Sequence, residues 1–318
     1  GHTVDCSASV GAAVAPIDGE TGVALLKHAD LALYRAKRGG KSDFHFFEPS
    51  LDEQARVRRE MELDLRLAIK DGGFELYFQP LYSLAREELE GFEALIRWNH
   101  PKRGMISPAE FIPLAEETGL ILQIGEWVVR EACRSAREWP EHLSVPVYVS
   151  AIRFSTPGLT TTILQARTQS GLRPNRLELE ITESIFIADV EKTLSTLHKL
   201  RDLGVRIALD DFGTGYSSLS YLRSFPFDQV KIDQSFVRDL NVEGNNAHAV
   251  IRAITTLASA LGMRTLAEGV EYAEQREILR REGCEYIQGF LLSRPVPASD
   301  VAALINCRDV GGLLRAVG

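Results

Sequence analysis

The chain has 318 residues and a net charge of −8, with 45% hydrophobic and 25% charged residues, a composition typical of globular proteins. The negative charge argues against a surface for duplex nucleic acid, and the lack of an apolar run of about 18 residues argues against a membrane span. The four cysteines form no CxxC pair, which disfavours structural zinc and indicates a reduced, cytoplasmic setting.

The first 48 residues differ in pattern from the rest of the chain. There, "SASVGAAVAP" predicts a short strand, "TGVALLKHADLALYRAKRGG" a helix, and "KSDFHFFEP" a second short strand. These elements are too few to bury a core of their own. We predict a domain fragment at residues 1–48, a connecting helix at 49–70, a main domain at 71–308 and a tail at 309–318.

Eight apolar, β-rich runs follow, and amphipathic stretches such as 108–139 and 190–203 lie between most of them. Connections of this length accommodate crossover helices, which indicates parallel strands. Eight such strands over about 230 residues favour a closed α/β barrel over an open doubly wound sheet, whose GxGxxG turn is absent. The predicted strands lie at residues 74–80, 91–98, 145–151, 177–182, 205–211, 229–233, 264–270 and 285–290.

Carboxylates recur toward the ends of four of these strands. Parallel barrel strands end at one mouth, where such side chains converge, and a group of this size cannot stay ionised without cations. Oxygen ligands without a nearby histidine or cysteine favour Mg²⁺ or Mn²⁺, and two adjacent aspartates suit a two-ion site for phosphate-ester hydrolysis. The alternative for any single residue is a turn, a cap or an ion pair, but the recurrence favours a shared site. The carboxylates are Glu93, Glu180, Asp210, Asp211 and Glu268.

Seven short motifs occur in order along the chain: "YFQP", "EALIRW", "LELEITES", "ALDDFGTGYSSL", "VKID", "AEGVE" and "QGF". This ordered set resembles the EAL family of cyclic di-GMP phosphodiesterases. The resemblance covers about residues 55–305 and implies a modified TIM (β/α)₈ barrel with an antiparallel first strand. It also implies hydrolysis of cyclic di-GMP to linear pGpG with two Mg²⁺ or Mn²⁺ ions.

The N-terminal segment resembles a different family. Through "SVGAAVAP" and "ADLALYRAKRGGKS", residues 1–48 are similar to the C-terminal end of a GGDEF diguanylate cyclase domain, without its signature loop. We therefore expect a small α+β remnant before the barrel, as in a piece of a GGDEF–EAL tandem protein. A parent protein of this kind could be attached to a membrane, although we expect no membrane contact from this fragment.

The EAL resemblance also implies roles for individual residues. Lys231 would orient the attacking water and stabilise its hydroxide form, with Glu268 and Asp211 beside it in the catalytic group. Arg97 would match a substrate phosphate with its planar fork. The expected metal ligands are Glu93, Glu180 and Asp210 for the first ion and Asp210 and Asp211 for the second. The expected substrate-binding residues are Gln79, Leu95, Arg97, Asp233, Glu271 and Gln288.

A regulatory loop is a further implication of the resemblance. Glu183 would support the segment 212–219, which in the family couples dimerisation to metal geometry. The expected loop residues are Phe212, Gly213, Thr214 and Gly215. The resemblance thus predicts cyclic di-GMP and a second copy of the barrel as partners, and no nucleic-acid polymer.

One position departs from the family pattern. In "VYVSA", Tyr148 stands where the family has an asparagine that gives a carbonyl oxygen to the first metal ion. A phenol is mostly protonated at neutral pH and is a poor ligand. Either water replaces the missing ligand and a slower enzyme results, or the domain binds cyclic di-GMP without turnover. A barrel hydrolase for other phosphodiesters is the third hypothesis.

Overall fold

A computed structural model describes residues 8–38, 43–186, 189–213, 225, 227–242 and 246–306 of the chain. The chain divides into two compact units, with the boundary between Lys70 and Asp71. Among the described residues, no helix combines the length and the apolar character needed to cross a membrane.

The first unit contains two short strands and two helices: β1 (Val10–Ala12), α1 (Gly22–Arg38), β2 (Phe44–Phe46) and α2 (Pro49–Asp71), whose last residue crosses the boundary. The strands are parallel, and α1 connects them as the predicted strand–helix–strand pattern requires. Phe44 and Phe46 of β2 stay about half exposed, at 50% and 55%. The aromatic side chains of β2 therefore bury little apolar surface, as expected for a unit with so few elements.

The second unit is built on a sheet that closes on itself. Its strands are β3 (Phe74–Ser83), β4 (Glu88–His100), β5 (Gly104–Ile106), β6 (Val145–Tyr148), β7 (Leu177–Thr182), β8 (Arg206–Phe212), β9 (Gln229–Ile232), β10 (Arg264–Ala267), β11 (Tyr286–Ile287) and β12 (Val296–Pro297). Eight of these described strands form the barrel in the order β3, β4, β6, β7, β8, β9, β10, β11. β5 and β12 extend the sheet at its margins.

The direction of β3 distinguishes this barrel from a regular TIM barrel. β3 is antiparallel to both neighbours, β4 and β11, whereas the remaining barrel strands, β4 and β6 through β11, pair in parallel with one another. A short turn joins β3 to β4, and Gln79 lies opposite Glu93 in this pair. The predicted modified (β/α)₈ barrel is therefore confirmed, and the open doubly wound sheet is excluded.

Helices connect the parallel strands. They are α3 (Pro108–Thr118), α4 (Ile121–Arg137), α5 (Ala151–Ser155), α6 (Leu159–Ser170), α7 (Val190–Asp202), α8 (Gln234–Arg238), α9 (Ala247–Ala260), α10 (Ala273–Arg281) and α11 (Val301–Ile305). Short 3₁₀ turns occur at Pro174–Arg176, Glu183–Phe186, Asp239–Asn241 and Ala298–Asp300. The amphipathic stretch over residues 108–139 forms two helices, α3 and α4, because Gly119 takes the left-handed conformation (φ 74°) and ends α3 there.

Alternation along the strands sorts apolar from polar side chains. In β7, Leu177, Leu179 and Ile181 are fully buried on one face. Glu178 and Glu180 are buried on the other face, at two different heights. Glu178 is neutralised by Arg264, which donates to it at 2.8 Å, and by Arg206 at 3.3 Å. Both arginines begin their strands, so this ion-pair layer lies at the end of the barrel opposite the strand carboxyl ends.

Candidate functional site

The carboxyl ends of the barrel strands bring four carboxylates around one lysine. Lys231 on β9 is only 1% exposed, and its Nζ lies 2.9 Å from Oε2 of Glu180 and 2.6 Å from Oε1 of Glu268. Oδ1 of Asp210 lies 3.4 Å away, and Oε1 of Glu93 lies 3.8 Å away. Each carboxylate comes from a different part of the chain, β4, β7, β8 and the residue after β10. The parallel register of the strands therefore assembles the group.

The charges in this group do not balance. One ammonium faces four carboxylates, so the fully ionised group has an excess of negative charge. Burial raises the pKa of Glu180 well above its usual value, and the nearby Glu93 adds to this rise. Burial also raises the pKa of Glu268 to about 7, although Lys231 opposes the shift. Burial alone would lower the pKa of Lys231, but the surrounding carboxylates, Asp210 first, raise it well above its usual value.

Asp210 and Asp211 meet at a bend in the chain. Asp211 has a φ of +53°, in the left-handed region that non-glycine residues rarely adopt, and its N–H donates to Oδ1 of Asp210 at 2.9 Å. This bend brings both carboxylates toward Glu268, and oxygen atoms of the three residues lie within 4.8 Å of one another. Burial and the adjacent Asp210 raise the pKa of Asp211.

This set of donors fits a hard divalent cation. Oε1 of Glu180 is buried and has no hydrogen-bond donor within the described part of the chain, although burying an unpaired carboxylate oxygen is costly. The grouped oxygens of Asp210, Asp211 and Glu268 supply further ligands without histidine or cysteine. Bound cations would pair the orphaned oxygen and remove the charge excess.

A polar cavity of about 610 Å³ opens beside the carboxylates. Two of its walls carry an arginine stacked over an aromatic ring. The guanidinium of Arg97 lies 5.3 Å from the ring centre of Tyr77, and that of Arg294 lies 4.2 Å from the ring centre of Phe290. Glu271 also lines this cavity. Cationic and aromatic groups facing one space are suited to a ligand with phosphates and flat bases.

Two predicted site residues act on Glu93. Nε2 of Gln288 donates to Oε1 of Gln79 at 3.1 Å and also to Oε2 of Glu93. Gln79 in turn donates to the carbonyl of Ser293 at 3.2 Å. All three polar side chains are buried, so this chain of hydrogen bonds fixes the orientation of the Glu93 carboxylate.

Tyr148 ends β6 and pairs in register with Glu180. Its side chain is 39% exposed and lines an apolar cavity next to the polar one. Burial raises the pKa of the phenol to about 12, with further contributions from Glu116, Asp210 and Asp211. The phenol is therefore protonated at neutral pH and acts as a hydroxyl group beside the acidic cluster, where it offers no anionic ligand.

Other predicted residues lie away from the centre of the group. Leu95 lines the apolar cavity instead of the polar one that contains Arg97. The Asp233 carboxylate accepts from the N–H of Ser235 at 3.0 Å and caps α8. Glu183 begins the 3₁₀ turn after β7, and Phe212 is buried at the end of β8.

The segment predicted to form a regulatory loop is described only at its start. Gly213 has a φ of +96°, and a Cβ there would lie 3.1 Å from the ring of Phe236, so this position requires glycine. Thr214 and Gly215 lie outside the described residues.

Sequence reasoning missed Tyr77 and Arg294 as cavity residues. Tyr77 is two positions before Gln79 on β3, so strand alternation was a usable signal for it. No pattern pointed to Arg294, which lies between strands.

Comparison with known proteins is consistent with this geometry. A family model for the EAL domain matches residues 62–295. The bifunctional diguanylate cyclase/cyclic di-GMP phosphodiesterase MucR of Pseudomonas aeruginosa is 42% identical over 308 residues, covering 96% of this chain and 45% of MucR. The cyclic di-GMP phosphodiesterase PdeR of Escherichia coli is 38% identical over 295 residues, covering 92% of this chain and 44% of PdeR. The chain thus spans less than half the length of these two relatives.

A solved structure extends the comparison to three dimensions. The PaMucR phosphodiesterase in complex with c-di-GMP is 42% identical and has a TM-score of 0.73, covering 76% of this chain and 99% of that chain. The match of a family model to residues 62–295 includes most of the barrel and all of the carboxylates around Lys231. The chain belongs to the EAL domain family.

Proposed function

We propose that this chain is a metal-dependent phosphodiesterase that hydrolyses one phosphodiester bond of cyclic di-GMP to give linear pGpG. The observation that carries the proposal is the buried Lys231 surrounded by four carboxylates beside a cavity with cationic and aromatic walls. Relatives named cyclic di-GMP phosphodiesterases, and a similar structure in complex with c-di-GMP, support the choice of substrate.

In this proposal, Mg²⁺ or Mn²⁺ ions occupy the carboxylate group. Glu93, Glu180 and Asp210 would hold the first ion, and Asp210 and Asp211 would hold the second. When bound, the ions lower the pKa of water and neutralise the phosphate. The buried, orphaned oxygen of Glu180 supports this assignment.

The remaining side chains of the group act on water and its protons. Lys231 has a raised pKa and stays cationic, so it orients the attacking water and stabilises negative charge there instead of removing a proton. Glu268 has a pKa of about 7 and lies within hydrogen-bond distance of Lys231, which suits it to accept the proton of that water. Asp211, which lies at the bend in the chain, is the third member of the proposed catalytic group.

Substrate recognition is proposed to use the walls of the polar cavity. Arg97 binds a phosphate oxygen with its fork, and the ring–guanidinium stacks give flat surfaces for guanine. Gln79 and Gln288 act mainly by holding Glu93. The residues proposed to contact the substrate, or to position it indirectly as Gln79 and Gln288 do, are Gln79, Leu95, Arg97, Asp233, Glu271 and Gln288.

Tyr148 favours a second candidate function, a cyclic di-GMP receptor with little turnover. The protonated phenol gives the first ion no amide oxygen, and it lines the neighbouring apolar cavity. We retain hydrolysis as the main proposal because the carboxylate group and Lys231 are complete.

The test compares the wild type with Tyr148→Asn and Tyr148→Phe at saturating Mn²⁺, following pGpG by chromatography. We expect measurable turnover in the wild type, and higher turnover and tighter Mn²⁺ binding in Tyr148→Asn only. Binding of cyclic di-GMP without product, even in Tyr148→Asn, would establish the receptor function instead. Turnover of aryl phosphodiesters without turnover of cyclic di-GMP would indicate a different substrate class.

The organisation of the whole protein is also proposed. Residues 1–48 are assigned as the C-terminal part of a GGDEF domain, 49–70 as a connecting helix and 71–308 as the EAL barrel. The parallel strand–helix–strand arrangement of the first unit supports this assignment. Glu183 and the loop beginning at Phe212 are assigned to coupling between two barrels of a homodimer, which sedimentation at several protein concentrations would test.

A further inference from the structure

A second cavity lies beside the carboxylate group and differs from the polar cavity in its walls. It has a volume of about 400 Å³, within the range of small-molecule sites and well above the space left in an ordinary close-packed core. Helices α3, α4 and α6 contribute most of its lining. The apolar residues that define it are Ala109, Ile112, Ile121, Ile124, Val128 and Leu159.

A glycine in α4 keeps this cavity open. Gly125 lies in the fifth position of a 17-residue helix and lines the cavity, and a Cβ placed on it would meet no atom within 4 Å. Glycine inside a helix costs roughly 0.5–1 kcal/mol relative to alanine. A larger side chain at this position would therefore take up space that the glycine leaves open beside the cavity.

One buried cation lines this largely apolar cavity. Arg153 on α5 is 8% exposed and donates to Oγ1 of Thr162 at 2.8 Å and to the carbonyl of Pro157 at 3.3 Å. Burial lowers the pKa of Arg153, and the negative charge of Glu126 opposes this shift. No carboxylate of the described chain lies within ion-pair distance of this guanidinium.

Comparison with another buried arginine shows why Arg153 is unusual. Arg176 makes three hydrogen bonds to backbone carbonyls, which are also neutral acceptors, those of Leu143, Ala136 and Trp139, and it lines neither the apolar nor the polar cavity. Arg153 has five N–H donors and uses two in the contacts above, both with neutral acceptors. A buried charge without an anionic partner is costly, and an anion bound in the cavity would compensate it.

We propose that the apolar cavity is a binding site for a carboxylate with a medium-length hydrocarbon chain, its carboxylate paired with Arg153. A cavity of 150 Å³ can hold a benzene ring, so about 400 Å³ has room for a chain of roughly eight to ten carbons. Glu93 and Asp210 also line the cavity, and their negative charges keep the carboxylate end away from them. Tyr148 lines the cavity and is partly exposed, so the cavity communicates with solvent.

The test uses the full chain and two probes of equal length, decanoate and decanol, in titration calorimetry below their aggregation concentrations. We expect decanoate to bind at one site per chain at least about tenfold more tightly than decanol, because only decanoate pairs with the guanidinium. Equal affinities for the two probes, or no binding of decanoate, would overturn the proposal.

Three variants locate the bound probe. Arg153→Met should weaken decanoate binding about tenfold or more, and Gly125→Leu, which takes up space in the cavity and keeps the arginine, should abolish it. The matched control Arg97→Met removes an arginine from the polar cavity and should leave decanoate affinity unchanged. If Arg153→Met does not fold, Gly125→Leu and the decanol comparison still decide. Retained binding in Gly125→Leu, or lost binding in Arg97→Met, would show that decanoate binds elsewhere.

Discussion

Replacement of Lys231 by methionine removes the one ammonium that the four surrounding carboxylates share. The substitution keeps the length of the side chain, so the main change is electrostatic. In the absence of divalent ions, nothing else in the described group offsets the negative charge. We expect Lys231→Met to be much less stable than the wild type at pH 8 when the metal is chelated, and to be nearly inactive.

The distances set the size of this effect. The ammonium lies 2.6–3.8 Å from the four oxygens, and one such pair contributes about 4 kcal/mol or more at an effective dielectric constant of 20. Desolvation of the lysine offsets much of this sum, and removal of one partner from a buried pair costs about 3–5 kcal/mol in practice. That loss is a large part of the total stability of a typical domain, about 5–15 kcal/mol.

Urea unfolding followed by tryptophan fluorescence measures this change. The three tryptophans, Trp98, Trp127 and Trp139, all lie in the second unit, so the signal reports the unfolding of the barrel. Saturating Mn²⁺ should restore part of the stability lost in Lys231→Met, because the ions supply positive charge to the same oxygens. The matched control is Lys199→Met, which removes an exposed lysine from α7 and should change stability by less than about 0.5 kcal/mol. A chelated Lys231→Met protein as stable as the wild type would refute the reasoning that this lysine is the internal counterion.

Two further predictions concern the same site. Burial raises the pKa of Glu268 to about 7, whereas the usual pKa near 4.5 applies in the unfolded chain. Between these two values, and without metal, the folded protein keeps a proton that the unfolded chain releases. The free energy of unfolding should therefore increase by up to about 3 kcal/mol from pH 8 to pH 5. Urea titrations in chelator should show this increment in the wild type and not in Glu268→Gln, and an identical pH dependence in both would contradict the assignment. Gln288→Leu removes the donor to Glu93 and should weaken Mn²⁺ binding and lower kcat about 10–100-fold with little change in KM. The control is Gln123→Leu, which replaces an exposed glutamine of α4. A change in KM alone would instead indicate that Gln288 contacts the substrate directly.

Much of this architecture follows from sequence because strand alternation and barrel geometry are strong constraints. The two-residue period placed Glu93 and Glu180 on inward faces, and parallel strands require such residues to meet at one end. The same period could not distinguish Glu178 from Glu180, since the two share a face. Only the position of Arg206 and Arg264 at the opposite end of the barrel shows that Glu178 belongs to an ion-pair layer.

Other features depend on tertiary contacts that no local pattern encodes. Leu95 and Arg97 share a strand face in sequence, yet they line different cavities. The cap that Asp233 makes to α8 competes with a role in substrate binding, and a single strand pattern could not reveal that contact. The left-handed turn at Gly119, which divides the stretch 108–139 into two helices, was visible only as an isolated glycine in an amphipathic pattern.

The antiparallel pairing of β3 and β4 has a consequence for the order in which the site forms. Gln79 and Glu93 are 14 residues apart and face each other across a hairpin, a contact that forms within microseconds in isolated hairpins. Glu180, Asp210 and Glu268 reach Glu93 only after chain segments of about 90 to 175 residues have been enclosed, a slower and entropically more costly step. The β3–β4 part of the site can thus form before the strands that carry the other carboxylates have joined it. High-affinity binding of a divalent ion would then report that the last strands have joined the barrel.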